Sequence, residues 1–356
     1  MSTAFKGRRH LASVALPLVP ATPARALNNS STPSAIWITW EHQRRSRELA
    51  YALGVPLVEI DGGRQPWLRY LRCAWRTLSV LRRRRPGLVF VQNPSVFLAA
   101  MVCALRRSFG YRVVVDRHSN FNFADTHTGL INRISHYTLT RADLTIVTNE
   151  GVASVVREHG GRPFILPDPL PRLEPAGCVM LRGARNVVFV SSFARDEPIA
   201  EVLEAARLLG PDVCIYITGN DTRMNPELRR RVPKNVTLTG FLPDRDYDSL
   251  IASANVLLAL TTRDHTLLCG AYEALSAGTP LIISNHAALV DYFGRGAIVT
   301  DNRAAAIADA IRTALAREND LRRTIVWLRD ELRASWSRDF LALAQEVGLP
   351  AAVCAP

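Results

Sequence analysis

Residues 259–285 read ALTTRDHTLLCGAYEALSAGTPLIISN, and they hold the densest set of groups able to do chemistry in the chain. Thr261, Thr262, Arg263, Asp264, His265 and Thr266 bring hydroxyls, a cation, a carboxylate and an imidazole together just ahead of a helix start. The pattern predicts a strand ending near Leu260 and a helix beginning between Leu267 and Gly270. Gly278 and Pro280 stop that helix, and Leu281-Ile282-Ile283 is then a buried parallel strand. A helix N-terminus presents N–H groups without intrahelical partners and the positive end of the helix dipole, a combination that favours a phosphate. Gly270 and Ala271 leave room for a ligand against the backbone. Glu273, one turn further on, is placed to accept hydrogen bonds from a sugar diol. The plain alternative is an ordinary strand–helix–strand unit with a polar loop.

Three other stretches carry candidate chemistry. A strand over 112–116 runs into His118, a base or hydroxyl-holding group at the mouth of an α/β crevice, or equally a satisfied structural histidine. Asp125 and His127 lie further along with weaker claims. The turn at Glu41-His42-Gln43-Arg44-Arg45-Ser46 occupies the usual ligand position after a first strand but has no glycine fingerprint. Arg44 and Arg45 there suit an anionic substrate, or a solvated turn. Over 66–85 the apolar positions Trp67, Leu71, Ala74, Leu78 and Leu81 make one helix face, and Arg69, Arg72, Arg76 and Arg83 fall on another. Trp67, Tyr70 and Trp75 suit a lipid headgroup layer. The alternative is a helix that covers a sheet and turns a solvated side outward.

The elements that must position these groups alternate strand and helix twice. The first series runs from a strand over 36–40 to a strand over 144–148, after which Asn149-Glu150-Gly151 caps a helix. Residues 163–175 hold five prolines and no period, and read as the linker. The second series begins with a strand over 186–190 and ends in helices over 304–316 and 321–346, with a change of direction at Trp336. The expected organisation is a disordered leader over 1–34, a Rossmann-like domain over 35–164, a linker over 165–184 and a second Rossmann-like domain over 185–320. Closing helices over 321–356 then cross back toward the first domain. Two parallel-sheet α/β domains facing a cleft follow from this order.

Composition is consistent with that reading. The 356 residues are 48% hydrophobic and 21% charged, with no apolar run approaching the roughly 20 residues of a membrane-spanning helix. The six cysteines lack the paired spacing of a zinc or redox site and read as reduced, mostly buried thiols of a cytosolic protein. No carboxylate cluster suggests a metal. The net charge is +12, and residues 1–170 hold 23 of the 44 basic residues but only 10 of the 32 acidic ones. The first half therefore faces an anionic partner. An anionic membrane surface is preferred to nucleic acid, since no nucleic-acid motif accompanies the charge.

The second half resembles the donor domain of GT-B-fold glycosyltransferases of the large family-four kind. The resemblance rests on the Asp196-Glu197-Pro198 loop with its helix EVLEAARLL, strand VCIYITGN, the segment NVTLTGFL over 235–242, and GAYEALSAGTPLI over 270–282, in family order. It implies that Glu273 binds the ribose of a nucleotide sugar and that the turn at Gly240-Phe241-Leu242 holds the base. Amides near Cys269 and Gly270 would face the phosphates, and Gly219 and Asn220 would line the same pocket. Two departures stand out. The first glutamate of the family's Glu-x7-Glu signature falls at His265, beside Asp264. The cations that grip the pyrophosphate fall near Ser192 and Glu197, so both are missing, with Arg195 and Arg263 as replacements. Micromolar donor affinity is about −8 kcal/mol. A helix terminus supplies up to ~2 kcal/mol and charged hydrogen bonds roughly 1.5–3 kcal/mol each, so at least one cation must help the amides.

The resemblance implies a hexosyltransferase-type enzyme without a cofactor, moving a sugar from a UDP- or GDP-sugar to a lipid-linked or polysaccharide acceptor in cell-surface glycan synthesis. His118 or Asp264 would position the acceptor hydroxyl or take its proton. The expected location is cytoplasmic, peripheral on the inner face of the plasma membrane. Two rivals share the fold: a nucleotide-sugar 2-epimerase, and a sugar-nucleotide-binding module that has lost its chemistry.

Overall fold

Short runs of β-branched and aliphatic residues too apolar to alternate, such as LVFVQ over 88–92, VLLA over 256–259 and LIIS over 281–284, form strands buried at every position. Strands of that kind belong to parallel sheets covered by helices on both faces. The structure, a computed structural model, describes residues 34–63, 66–92, 95–117 and 129–350, apart from the side chains of Arg44, Pro66 and Trp67. The leader lies almost wholly outside those residues.

The first lobe contains β1 (Ala35–Thr39), α1 (Arg44–Ala52), β2 (Leu57–Glu59), α2 (Pro66–Arg84), β3 (Leu88–Gln92), α3 (Val96–Phe109) and β4 (Arg112–Arg117). It continues with α4 (Gly129–Arg141), β5 (Leu144–Val147), α5 (Glu150–Glu158) and β6 (Pro163–Ile165). Its six strands pair in parallel in the order β2-β1-β3-β4-β5-β6. The second lobe begins with β7 (Arg185–Phe189), α6 (Ile199–Arg207), β8 (Val213–Thr218), a 3-10 turn (Asp221–Arg223), α7 (Pro226–Arg230) and β9 (Val236–Gly240). There follow α8 (Asp244–Ser253), β10 (Val256–Ala259), α9 (Cys269–Ala277), β11 (Leu281–Ser284), α10 (Ala287–Phe293), β12 (Ala297–Thr300), α11 (Ala304–Ala316) and α12 (Glu318–Val347). The second sheet is also parallel, in the order β12-β11-β10-β7-β8-β9. Its connections change direction between β7 and β10, and ligands of open α/β sheets bind outside the strand ends at such a point.

Several sequence expectations need correction. The proline-rich stretch does not begin the linker, because Pro163–Ile165 is edge strand β6, paired with β5. A proline is tolerated as the first residue of an edge strand, where its missing N–H breaks no ladder. The chain does not turn at Trp336, which lies within the single 30-residue helix α12. That helix places Leu321, Ile325 and Leu328 in the second lobe's cores, and Trp336, Phe340, Leu343 and Val347 in the first lobe's. The buried stripe of α2 is Cys73, Thr77 and Leu81, so Leu71 faces solvent instead. Thr77 belongs on the inside because its hydroxyl accepts a hydrogen bond from Trp40 Nε1 at 3.0 Å. The five described cysteines are free but not mostly buried: Cys178 and Cys269 are exposed and Cys214 is half-buried.

Arg45 is the largest correction. It is not on a basic turn that meets substrate, because its side chain is almost fully buried at the start of α1. Its guanidinium donates to Asp116 Oδ1 at 3.1 Å, Asp168 Oδ1 at 2.6 Å and the Leu166 carbonyl at 2.9 Å. Burial alone lowers its pKa, but the Asp116 and Asp168 carboxylates outweigh that and hold the group above its ordinary value. Replacing it removes the cation that two carboxylates share. Arg45→Met is expected to destabilise the protein by about 3–5 kcal/mol in urea denaturation, the range for breaking a buried ion pair.

Candidate functional site

Helix α9 starts at Cys269, directly after the polar loop that leaves β10, and no side chain caps its first turn. Its N-terminus therefore lies beside the switch point, with the positive end of its dipole at the strand ends. Gly270 does not leave room for a ligand. It is buried, and a Cβ there would come within 2.7 Å of Val190 Cβ, so glycine is needed to pack α9 onto the end of β7. Ala271 is likewise in the core. Cys269 is exposed at the helix start.

Glu273 lies one turn inside α9 and is half-buried. Its Oε2 accepts a hydrogen bond from Tyr247 Oη on α8 at 2.6 Å. Burial, reinforced by the neighbouring carboxylate, raises the Tyr247 pKa far above that of a free phenol. The hydroxyl thus stays a donor at neutral pH and holds the Glu273 carboxylate in one orientation. Tyr247 is a positioning residue, and its distance of 26 positions from Glu273 hides the pairing from sequence pattern.

The loop from 261 to 268 is tied down on three sides. Thr261 Oγ1 donates to Asp196 Oδ2 at 2.8 Å, and the Thr262 amide donates to the Asp196 carbonyl at 2.7 Å. Arg263 Nε stands 3.4 Å from Asp196 Oδ1, so this cation is partly engaged. Asp264 is 72% exposed, and its Oδ1 lies 2.7 Å from Nδ1 of His286. Nε2 of the same imidazole lies 3.0 Å from the Thr261 carbonyl. His286 follows β11 at the same edge of the sheet; that position, just past a strand's C-terminal end, is the signal that could have found it. His265 meets the first lobe. It adopts φ +56°, its ring packs against Gly151 of the first lobe, and its carbonyl accepts from Asn149 Nδ2 at 2.9 Å. Asn149 also caps α5 through the Val152 amide, so one side chain joins a helix start to the facing lobe.

The loop after β7 holds the most densely bonded carboxylate near the switch point. Glu197 accepts from Ser191 Oγ at 2.6 Å, the Ser192 amide at 3.0 Å, Ser192 Oγ at 2.9 Å and the Ala194 amide at 3.2 Å. Arg195 beside it is exposed and makes no ion pair among the described residues. Gly219, at φ +98°, brings the end of β8 against the Ser191 carbonyl, a contact that any Cβ would prevent. The Asn220 side chain is used locally, accepting from the Thr222 amide and hydroxyl at 3.2 and 2.7 Å. Phe241 is 85% exposed and Leu242 packs on the second-lobe core.

On the first lobe, Trp40, Glu41, His42, Glu59, Asp61 and Arg69 line a cavity of about 340 Å3 at the ends of β1 and β2. Arg69 donates to the Trp40 carbonyl at 3.1 Å and Arg76 to the Asp61 carbonyl at 2.6 Å. Arg72 projects outward on α2 beside Leu71 and Trp75, which are 64% and 69% exposed. Arg44 opens α1 and Trp67 lies in the first turn of α2, but their side chains are outside what the structure describes. His118, Asp125 and His127 also lie outside the described residues. Among the described residues no His, Cys, Asp and Glu side chains group as a metal site, and no helix is long and apolar enough to cross a membrane.

Residues 184–317 match the family of glycosyl transferases group 1, and residues 19–165 match the glycosyl transferase 4-like domain. A stretch of 141 residues is 31% identical to the GDP-mannose-dependent alpha-(1-6)-phosphatidylinositol dimannoside mannosyltransferase of Mycobacterium tuberculosis, recorded for two strains. It makes up 39% of this chain and spans only 36% of that relative's length. The sucrose-phosphate synthase of Thermosynechococcus elongatus superposes with a TM-score of 0.73 at 18% identity, covering 88% of this chain and 98% of that one. HepE of Anabaena, solved with UDP, superposes with a TM-score of 0.65 at 14% identity over the same shares. Those structural likenesses show the fold; with both family matches, one on each lobe, they establish that the chain belongs to the group 1 glycosyltransferases of GT-B architecture.

Proposed function

We propose that the chain moves a sugar from a UDP- or GDP-sugar, held by the second lobe, to a lipid-linked or polysaccharide acceptor presented by the first lobe. The observation that carries this reading is Glu273, fixed by Tyr247 one turn inside the uncapped N-terminus of α9 at the switch point. A carboxylate accepts two hydroxyls of a ribose while the helix terminus faces the adjoining phosphate. As the sugar–phosphate bond breaks, negative charge grows on the departing phosphate, and the α9 dipole with Arg195 and Arg263 stabilises it. Asp264, oriented by His286, is the exposed carboxylate best placed to hold the acceptor hydroxyl or take its proton. His118 remains a second candidate for that role. The mycobacterial relative, named for GDP-mannose and a phosphatidylinositol acceptor, and HepE, solved with UDP, support the donor and acceptor classes.

The outward face of α2 supports work at a membrane. Leu71 and Trp75 stand one turn apart, with Arg72 and Arg76 beside them and Arg82 to Arg85 at the end. Apolar side chains interleaved with arginines fit the headgroup layer of an anionic bilayer, where each cation contributes about 1 kcal/mol. This supports a cytoplasmic protein peripheral on the inner face of the plasma membrane.

Glu197 favours a second reading, a sugar-nucleotide-binding module without turnover, because its carboxylate sits on amides that a donor phosphate would use. Donor binding without transfer to any glycan or glycolipid acceptor would establish that reading.

Two tests follow. Glu273→Gln should lower donor affinity or kcat/KM about 10- to 100-fold, the worth of one charged hydrogen bond at 1.5–3 kcal/mol. Tyr247→Phe should give a smaller loss in the same parameter; unchanged donor use in Glu273→Gln would refute the pocket. Leu71→Ser/Trp75→Ser should cut binding to phosphatidylglycerol vesicles at least tenfold at 0.1 M salt without altering thermal stability. Equal vesicle binding would remove the membrane face.

A further inference from the structure

We propose that the Glu197 carboxylate is a built-in competitor for the donor's phosphate, seated in the anion site that the loop after β7 forms at the switch point. The proposal rests on the donor reading above and adds a determinant of donor affinity to it.

The position comes first. β7 lies beside β10 in the sheet, and the loops leaving these two strands border the crevice in which an open parallel sheet takes its ligand. Glu197 is therefore bonded inside the donor site and not at a remote turn. The chemistry comes second. Two backbone amides and two hydroxyls converge on this one carboxylate at 2.6–3.2 Å. Phe193 between them adopts φ +57°, which turns the amides of Ser192 and Ala194 toward the same point. Successive N–H groups gathered in this way bind phosphates and carboxylates alike. Ser192 is exposed, so the same donors are within reach of a ligand in the crevice.

Charge gives the third argument. Arg195 and Arg263 are the nearby cations, and Asp196, 3.4 Å from Arg263, offsets one of them. Glu197 offsets the other, and the exposed Asp264 leaves the loop pair with one excess negative charge toward a diphosphate. With Glu197 displaced or neutralised, Arg195 and the freed amides would face the ligand together. A donor must therefore exchange places with the chain's own anion, and the measured affinity is the difference between two similar sets of hydrogen bonds.

The bland role for Glu197 is a staple that shapes the loop, and it makes the opposite prediction. If the carboxylate only shapes the loop, neutralising it loosens the donors and weakens nucleotide binding. If it competes, neutralising it strengthens binding. The experiment is calorimetric titration of the full chain with UDP and GDP, and with uridine and guanosine as phosphate-free probes. Wild type is compared with Glu197→Gln and Glu197→Ala, and thermal unfolding verifies that each is folded. The expected result is a Kd for UDP or GDP about tenfold lower in both variants, the worth of one charge-assisted hydrogen bond, with nucleoside binding unchanged. Glu197→Gln keeps the side chain's shape, so it provides the reading if the alanine variant does not fold. Diphosphate binding that is equal or weaker in a folded Glu197→Gln overturns the proposal and leaves the donor reading intact. Absence of nucleotide binding in wild type and variants alike overturns both.

Discussion

A buried guanidinium holds the linker against the first lobe, and the placement of the second lobe depends on it. Arg45 reaches Asp116 at the end of β4 and both Asp168 and the Leu166 carbonyl in the linker. Lifting the linker away would take two hydrogen-bond acceptors, Asp168 and the Leu166 carbonyl, from a guanidinium that has little access to water. Helix α12 adds a covalent tie from the other side. Its Trp336 donates to the Pro167 carbonyl at 3.1 Å, next to the residue that Arg45 grips. The crossing between lobes is thus fastened at one place by an ion cluster, an indole and a continuous helix. The Asn149–His265 contact is a lighter attachment on the crevice side: one side-chain hydrogen bond and a ring packed against Gly151.

Much of this architecture was legible in the sequence, for a physical reason. Parallel strands buried on both faces leave continuous apolar runs, and turn residues bracket them, so β1, β4, β5, β7, β8, β10 and β11 stand out within a residue or two. The elements that escaped notice lack those signals. Helix α10 has only seven residues, too few to display a period, and β12 is an edge strand with a single buried position. β6 was hidden by its proline. The face of α2 was misjudged because Cys73 and Thr77 count little on a hydropathy scale, whereas the sheet beneath them needs small side chains and one hydroxyl for Trp40.

The site was legible in outline but not in its partners. Glu273 and the α9 start are local features of one stretch, and sequence pattern finds such things. The groups that orient them come from distant positions: Tyr247 for Glu273, His286 for Asp264, Ser191 and Ser192 for Glu197. Only the fold brings those pairs together. Counting charges misled for the same reason. Arg45 appeared as surface charge and is structural, while Arg263 appeared free and leans on Asp196. Of the arginines proposed for the donor, Arg195 alone is unpaired among the described residues.

The first lobe gives the transfer reading a spatial logic. The cavity at the ends of β1 and β2 and the groove beside α2 share Glu59 and Ile60, so the cavity opens onto the same flank that presents Trp75, Arg76 and Arg83. Its volume of about 340 Å3 falls in the small-molecule range of roughly 300–1,000 Å3. Its lining combines three carboxylates with an arginine and the edge of Trp40, groups that bond hydroxyls more readily than they hold an anion. In the proposed transfer, a polyol attached to a lipid would satisfy both surfaces at once, with its hydroxyls in the cavity and its anionic anchor on the arginine-bearing flank. A free soluble anion satisfies only the flank, since the carboxylates would repel it from the cavity. Under the proposed transfer reading, this pairing of an acidic cavity with a basic apolar rim would favour a membrane-tethered sugar over other anionic partners on electrostatic grounds.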